Sequence, residues 1–294
     1  MKKTILGLAI FTVFFTQNIN AQESITSGGS KGLYFKINGG YNFAVTNSQH
    51  GVGETPFAPS PYPFYDGSVI NGGSDINWKT ADVNLGKGIN FGGTIGYMFN
   101  NQLGAEIAVD YLLGSKTETK IDGSGGSLNQ TLSSRMIQIK PSFVLSAGYS
   151  KINPYAKFGA IIGSGKITQE FNLFIGDLTE VEAEAKGGLA FGFHAGVGLN
   201  FGLTPKLSLF GELNMNNLSY APEEGKLTKY NVNGVDQLPT LDISVKEYQY
   251  TDENPYIIIG GGGTSPDPNQ PYRAPKTSYS YSTIGINFGL KYSL

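Results

Sequence analysis

The residues best suited to chemistry are eight ionisable side chains that lie between regularly spaced apolar residues. Such a set can fill an interior with ion pairs, or it can form a pathway for protons or ions. We favour ion pairs, because four lysines nearly balance three carboxylates, as an interior that cannot hydrate freely requires. The eight residues are Lys36, Glu106, Asp110, Lys140, Lys157, His194, Glu212 and Lys291.

Two of the lysines raise a specific problem of like charge. Lys36 lies near the start of the first alternating segment, and Lys291 lies near the end of the last one. If these segments pair, the two ammonium groups come close together. Glu106 and Glu212 each follow a tight turn by a few residues, so we expect them to compensate the two lysines.

Catalysis is not predicted. A nucleophilic mechanism would need a histidine beside a serine and a carboxylate, and the chain has only two histidines, His50 and His194. His50 begins a predicted loop, and His194 lies in mid-strand with no evident nucleophile nearby. We therefore predict no enzyme, no catalytic residue and no cofactor.

Acidic residues are concentrated in the segment 165–188. They could hold calcium, but their spacing is not that of an EF-hand loop. A solvated loop is the preferred interpretation, and no metal site is predicted. The acidic residues are Glu170, Asp177, Glu180, Glu182 and Glu184.

The elements that must position the interior side chains are β-strands, because apolar residues alternate with polar or small ones. The pattern is clearest near 189–201, where large residues such as Phe191 and Phe193 alternate with small or polar residues such as His194. Eight segments share it, and an even number suits a single-chain bacterial barrel. They lie near 33–45, 89–99, 103–113, 135–146, 154–164, 189–201, 207–216 and 284–294.

The connections alternate between tight and long. Turns such as 100–102 and 204–206 are tight, whereas the segments 46–88, 114–134, 165–188 and 221–279 are long. Short periplasmic turns and long surface loops are the outer-membrane arrangement. This predicts an up-and-down, closed antiparallel transmembrane β-barrel over 33–294, with both termini periplasmic.

The two faces of the strands differ in size. One face carries large aliphatic and aromatic residues, and the other is crowded with Gly, Asn, Ser and Ala. A small polar face fits a narrow lumen, whereas a water-soluble sandwich or lipocalin-like barrel would fill its core with the large residues. The soluble fold is the structural alternative.

The last eight residues, 287–294, resemble the C-terminal assembly signal of outer-membrane barrels. The pattern has a polar residue, a glycine, an aromatic residue and a terminal apolar residue, and Leu294 stands where Phe is usual. With the strand pattern, the chain resembles the small outer-membrane barrels of the OmpA-transmembrane-domain or OmpX type. The resemblance implies recognition by the barrel insertion machinery through Asn287, Gly289, Tyr292 and Leu294.

The N-terminus has the features of a secretory signal peptide. Lys2 and Lys3 precede an apolar run too short to span a bilayer, and Ala21 precedes the expected cleavage site. We therefore assign residues 1–21 to the signal and 22–32 to a short periplasmic segment. The net charge of −2 gives no electrostatic footprint for nucleic acid.

Exposed aromatic residues in the long loops suggest a recognition surface. The alternative is that they pack on each other over the barrel mouth. We expect loops that serve recognition, adhesion or association with an envelope complex, in contact with outer-membrane lipid and lipopolysaccharide. A narrow channel or transporter is the second interpretation, and a lipid-modifying enzyme the third. The aromatic residues are Phe57, Tyr62, Phe64, Tyr65, Tyr248, Tyr250 and Tyr256.

Overall fold

The structure, a computed structural model, describes residues 31–45, 65–70, 75–80, 83–123, 125–252 and 267–294. The predicted signal peptide lies outside these residues, and so do Phe57, Tyr62, Phe64 and Tyr256. Among the residues that the structure describes, no helix is long and apolar enough to cross a membrane.

The described chain is all-β apart from two short helical turns. These turns are a 3-10 helix at Leu238–Thr240 and helix α1 at Ile243–Lys246. In chain order the strands are β1 (Gly32–Ala44), β2 (Tyr65–Ile70), β3 (Asp75–Thr80), β4 (Gly88–Met98), β5 (Leu103–Gly114), β6 (Thr117–Gly123), β7 (Gly126–Ser146), β8 (Ile152–Ile175), β9 (Asp177–Lys186), β10 (Ala190–Gly202), β11 (Leu207–Tyr220), β12 (Glu224–Val232), β13 (Val235–Asp236), β14 (Glu247–Thr251), β15 (Tyr272–Pro275), β16 (Tyr279–Ser280) and β17 (Thr283–Ser293).

The long strands pair antiparallel with their neighbours. The pairs run β1 with β4, β4 with β5, β5 with β7, β7 with β8, β8 with β10, β10 with β11, and β11 with β17. Strand β17 also pairs with β1, so that Phe35 lies opposite Tyr292. Each segment of predicted alternation coincides with one of these strands, although the ends differ.

In the half of these strands that lies nearest the tight turns, the large apolar side chains point outward. We call this surface the apolar belt. Phe158 and Phe193 are among its members, and both are exposed, with 54% and 74% of their surface accessible. A water-soluble sandwich buries such residues, so the belt contradicts the soluble alternative. Further members are Ile37, Phe91, Ile95, Ile107, Ile139, Phe143, Leu213 and Phe288.

Tight turns connect the strands at one end, the turn end. Phe99 donates its backbone N–H to Leu103, and Leu203 donates to Leu207. The first strand begins and the last strand ends here, since Gly32 lies opposite Met98. Both ends of the described chain therefore lie at the turn end.

The predicted loops 114–134 and 165–188 are corrected by the structure, because most of their residues belong to strands. Strands β7 and β8 continue far beyond the belt, and β8 runs from Ile152 to Ile175. Strand β6 pairs with β7, β9 pairs with β8, and β12 pairs with β9. We call these paired segments above the belt the extension.

The physical reason for the error is that the sense of alternation reverses along a single strand. In the belt part of β8, Phe158 faces outward and is exposed. In the extension part, Ile167 and Phe171 face inward and are buried, while Glu170 lies on the outer side. The pattern therefore changes from apolar outside to apolar inside, and a search for one continuous apolar face ends at the reversal.

The predicted loops 46–88 and 221–279 also contain strands. Strands β2 and β3 form a hairpin in the first, and β12 to β16 lie in the second. An apolar core lies inside the extension, at the end of the belt opposite the turns. Its fully buried members include Leu112, Leu132, Met136, Ile161, Ile167, Leu218, Tyr220 and Tyr281.

Candidate functional site: the charged interior of the belt

All eight predicted ionisable residues lie on the inner face of the belt strands. Six are buried, and Lys157 and Lys291 are partly buried. Strand geometry accounts for this placement, since side chains on alternate residues share one face. The strands bring the eight residues together inside one narrow space, where neighbouring side chains can pair.

The larger charge cluster is centred on two carboxylates. Glu106 accepts a hydrogen bond from Lys36, with 2.7 Å between Nζ and Oε2. Lys157 bridges the two carboxylates, since its Nζ lies 3.1 Å from Glu106 Oε1 and 3.0 Å from Glu212 Oε2. The ammonium group of Lys157 therefore joins two ion pairs into a chain of four residues.

Two tyrosines complete this cluster, and sequence reasoning missed both as site residues. Tyr34 donates its hydroxyl to Glu106 at 2.7 Å, and Tyr155 donates to Glu212 at 2.9 Å. Both lie on the inner face of their strands. The alternation of residues between the two faces, which we call parity, was therefore the signal that could have found them. Each carboxylate thus has donors beyond its lysines, as a buried charge requires.

A second ion pair lies further along the interior. Lys140 donates to Asp110 at 2.9 Å, and Asn38 donates its side-chain amide to the other oxygen of the same carboxylate at 3.1 Å. Asp110 lies on β5 four residues beyond Glu106, so it faces the same interior. All three interior carboxylates predicted from the sequence therefore have a lysine partner.

The expected compensation of Lys36 and Lys291 holds for the first lysine only. Glu106 pairs with Lys36, but Glu212 pairs with Lys157 instead of Lys291. Among the described residues, no carboxylate lies within ion-pair distance of Lys291. Its ammonium group lies over the ring of Tyr34, 4.3 Å from the ring centroid.

His194 has a nucleophile as its neighbour, which corrects the sequence interpretation. Its Nε2 lies 2.7 Å from Ser142 Oγ. Both residues are buried, with 4% and 7% of their surface accessible. In the described part of the chain no carboxylate hydrogen-bonds the histidine ring, so the pair lacks the group that would orient it for catalysis.

The residues of the C-terminal pattern alternate along β17. Asn287 is buried on the inner face, whereas Tyr292 and Leu294 are exposed. Gly289 allows close strand contact, because a Cβ atom there would lie 2.0 Å from the carbonyl oxygen of Ile37. The glycine is therefore required by the pairing of the last strand with the first.

Two of the predicted surface aromatic residues are buried. Tyr248 and Tyr250 belong to the apolar core of the extension, with 8% and 7% of their surface accessible. Burial raises the pKa of the Tyr250 hydroxyl. An exposed recognition role for these two is therefore wrong, and they pack over the belt interior, as the alternative interpretation describes. Tyr65 begins strand β2.

The acidic residues that the sequence analysis considered for calcium lie in the extension. Among the described residues no group of three or more potential ligands lies close enough together to hold a metal ion. The acidic segment of the extension forms cross-strand ion pairs, such as Lys229 Nζ to Glu180 Oε1 at 2.9 Å.

Comparison with known proteins places these observations in a family. A family model described as an outer membrane protein beta-barrel domain matches residues 7–237. No curated protein matches the chain. Among solved structures, the outer membrane protein OprG from Pseudomonas aeruginosa is similar at 11% identity, over 90% of this chain and 98% of that chain, with a TM-score of 0.42.

Two further solved structures have lower scores. Ail, the attachment invasion locus protein of Yersinia pestis, is similar at 14% identity over 90% of this chain and 100% of that chain, with a TM-score of 0.29. CarO2 of Acinetobacter baumannii is similar at 9% identity over 89% of this chain and 99% of that chain, with a TM-score of 0.29.

Proposed function

Because the chain belongs to the outer membrane protein beta-barrel domain family, we propose that it is a non-enzymatic outer-membrane barrel that displays its extension for recognition. Recognition here means adhesion or association with an envelope complex. The barrel is closed, with eight strands in an up-and-down order. The ring of pairings from β1 through β4, β5, β7, β8, β10, β11 and β17 supports closure.

The proposed topology places the turn end in the periplasm and the extension outside the cell. Short turns on one side and long connections on the other support this orientation. Residues 1–21 act as the signal peptide, and both termini of the mature chain are periplasmic. The insertion machinery recognises Asn287, Gly289, Tyr292 and Leu294, and the outer strands contact lipid and lipopolysaccharide.

The observation that carries the proposal is that the interior is filled at two levels. Within the belt, ion pairs occupy the space, and above the belt the apolar core of the extension covers it. An eight-stranded barrel is just wide enough for side chains to fill. A protein filled in this way has its accessible surface on the outside of the extension.

The second candidate function is a narrow channel or transporter for small solutes. The polar belt interior supports it, because Lys36, Lys157 and Glu106 could exchange partners around a passing ion. The apolar core argues against it. Sustained conductance by the pure protein would favour this second function.

The topology can be tested by labelling, because the sequence has no cysteine. Ile175 is exposed at the tip of the β8–β9 hairpin, and Lys206 is exposed in a turn at the other end. Each is replaced by cysteine in a separate variant. A membrane-impermeant maleimide should label Ile175→Cys on whole cells and Lys206→Cys only after permeabilisation. The reverse result would invert the proposed topology.

The recognition role can be tested by affinity capture from intact cells. The variant replaces residues 168–184 with an Asn-Gly turn, which removes the upper part of the β8–β9 hairpin and keeps Ile167 opposite Ala185. We expect the wild-type protein to retain a partner that this variant loses, while both reach the outer membrane. A partner held equally by both would place recognition elsewhere.

A further inference from the structure

The interior of the belt carries one more cation than its carboxylates neutralise. Lys36, Lys140 and Lys157 each pair with Glu106, Asp110 or Glu212. Lys291 is the fourth lysine, and it has no carboxylate partner among the residues that the structure describes. Its backbone lies directly opposite that of Lys36 in the pairing of β1 with β17.

The Tyr34 ring does not neutralise this charge. A lysine over an aromatic face gains a modest attraction, yet its donors still need acceptors. The hydroxyl of Tyr34 is already directed to Glu106. An uncompensated ammonium group in a partly buried position is costly unless an anion lies nearby.

A small cavity at the turn end contains this lysine. Its volume is about 50 Å³. A cavity needs roughly 10–15 Å³ by this measure to hold one water molecule, so this one can hold a group of about four oxygen atoms. No acidic residue lies among the described residues that line it, whereas Lys36, Lys291, Ser208 and Ser293 do.

A second observation shows that the cavity also needs a hydrogen-bond donor. Asn200 lines it and is buried, with 8% of its surface accessible, and its Oδ1 accepts no hydrogen bond from any described residue. A buried acceptor without a donor is destabilising. The ligand that suits this cavity is therefore an anion that also carries an O–H group.

We propose that this cavity is a binding site for a small protonated oxyanion, of which inorganic phosphate is the simplest. Its charged oxygens accept from Lys291 and from the serine hydroxyls, and its O–H donates to Asn200. The need for an O–H group selects free phosphate over a phosphodiester, and over a phosphate monoester that has lost its second proton, which happens above about pH 6. The site goes beyond the proposed recognition function, which resides at the opposite end of the barrel, and it opens to the periplasm if the proposed topology holds.

The test measures thermal unfolding of the full-length protein, refolded in a maltoside detergent that contains no phosphate. Phosphate should raise the midpoint of the wild-type protein in a saturable manner. Lys291→Gln should weaken the apparent affinity by about tenfold or more, as loss of a charge-assisted hydrogen bond implies. Lys206→Gln, an exposed lysine at the same end, is the matched control and should respond as the wild type does.

Three results of the phosphate titration would each overturn the proposal. They are the absence of a saturable response in the wild-type protein, an equal response in Lys291→Gln, and a larger effect of Lys206→Gln than of Lys291→Gln. Sulfate at matched ionic strength should stabilise less than phosphate, because it has no O–H group near neutral pH. Equal stabilisation by the two anions would contradict the proposed hydrogen bond from the O–H group of the anion to Asn200.

Folding of the variant is checked separately by heat-modifiable gel migration. Without phosphate, Lys291→Gln should unfold at a midpoint no lower than that of the wild-type protein, since the substitution removes an uncompensated charge. A clearly lower midpoint without phosphate would show that the lysine is already neutralised within the protein and would overturn the site.

Discussion

At the scale of single residues, Glu106 shows how the belt interior is held together. Three donors converge on its carboxylate, from Lys36, Lys157 and Tyr34. Removing one partner from such a buried network leaves the remaining charges uncompensated, which costs more than the pair contributes. The donors around Glu106 therefore depend on its carboxylate as their hydrogen-bond acceptor and neighbouring negative charge.

Glu106→Gln should therefore lower the free energy of unfolding by about 3–5 kcal/mol. The carboxamide keeps the size of the side chain but leaves Lys36 and Lys157 without one of their anions. Urea unfolding in lipid vesicles would measure the change. Glu118→Gln is the control, because Glu118 is exposed on β6 and should change the free energy by less than about 0.5 kcal/mol. Equal effects of the two substitutions would contradict a structural role for the network.

A second prediction at this scale concerns a tyrosine of the extension core. Burial raises the pKa of Tyr279 to about 12, against about 10 in an unfolded chain. The folded state therefore holds the proton more tightly. The stability that this contributes is complete below about pH 10 and is lost as the pH rises towards about 12.

The measurement is the urea midpoint as a function of alkaline pH. Tyr279→Phe should decline less steeply than the wild-type protein, because one group that must ionise has been removed. Tyr149→Phe alters an exposed tyrosine at the turn end and should leave the slope unchanged. Identical slopes for wild type and Tyr279→Phe would refute the assignment.

At the scale of elements, strand β8 passes through two environments. Phe158 and Phe174 both lie on its outer side and are similarly exposed, at 54% and 50%. They are sixteen residues apart in sequence, which corresponds to roughly 50 Å along a strand. The hydrocarbon core of a bilayer is only about 30 Å thick, so a tilted strand cannot keep both residues in lipid.

Tryptophan substitution can distinguish the two positions. The chain has a single tryptophan, Trp78, so Trp78→Phe provides the background. In vesicles that contain brominated lipid, Phe158→Trp should be strongly quenched and Phe174→Trp should not. Comparable quenching at both sites would show that the extension lies in the membrane and would contradict the division between belt and extension.

The sequence predicted the belt strands well because their alternation is local. Parity alone assigns Lys140 and Glu212 to the interior. Parity does not assign partners, because which carboxylate lies beside which lysine depends on the stagger between distant strands. This is why the pairing of Lys157 with Glu212 was not predicted.

The extension was missed for a different reason. Its strands alternate as regularly as those of the belt, but the polar side of β8 there carries Thr168 and Glu170 on the outside. A polar outer face is also what a solvated loop presents. The burial of Ile167 and Phe171 depends on contacts with β9 and β7, which lie across turns and cannot be read from one segment.

At the scale of the whole molecule, two separate sets of side chains block the interior of the barrel, one beyond the other. The ion pairs of the belt and the apolar core of the extension lie at different heights along the same interior. A solute that passed through would have to displace both. Loosening one level alone therefore leaves the other in place.

We therefore expect no sustained conductance from the pure protein in planar bilayers. Glu106→Gln should also remain silent, even though it loosens the belt network, because Met136, Ile161 and Tyr281 still pack together above it with almost no accessible surface. Combining Glu106→Gln with Ile161→Gly and Tyr281→Gly, which opens both levels, should produce short-lived current steps. Stable, ion-selective steps from the wild-type protein would show that both levels open together, and the channel function would then replace the recognition function.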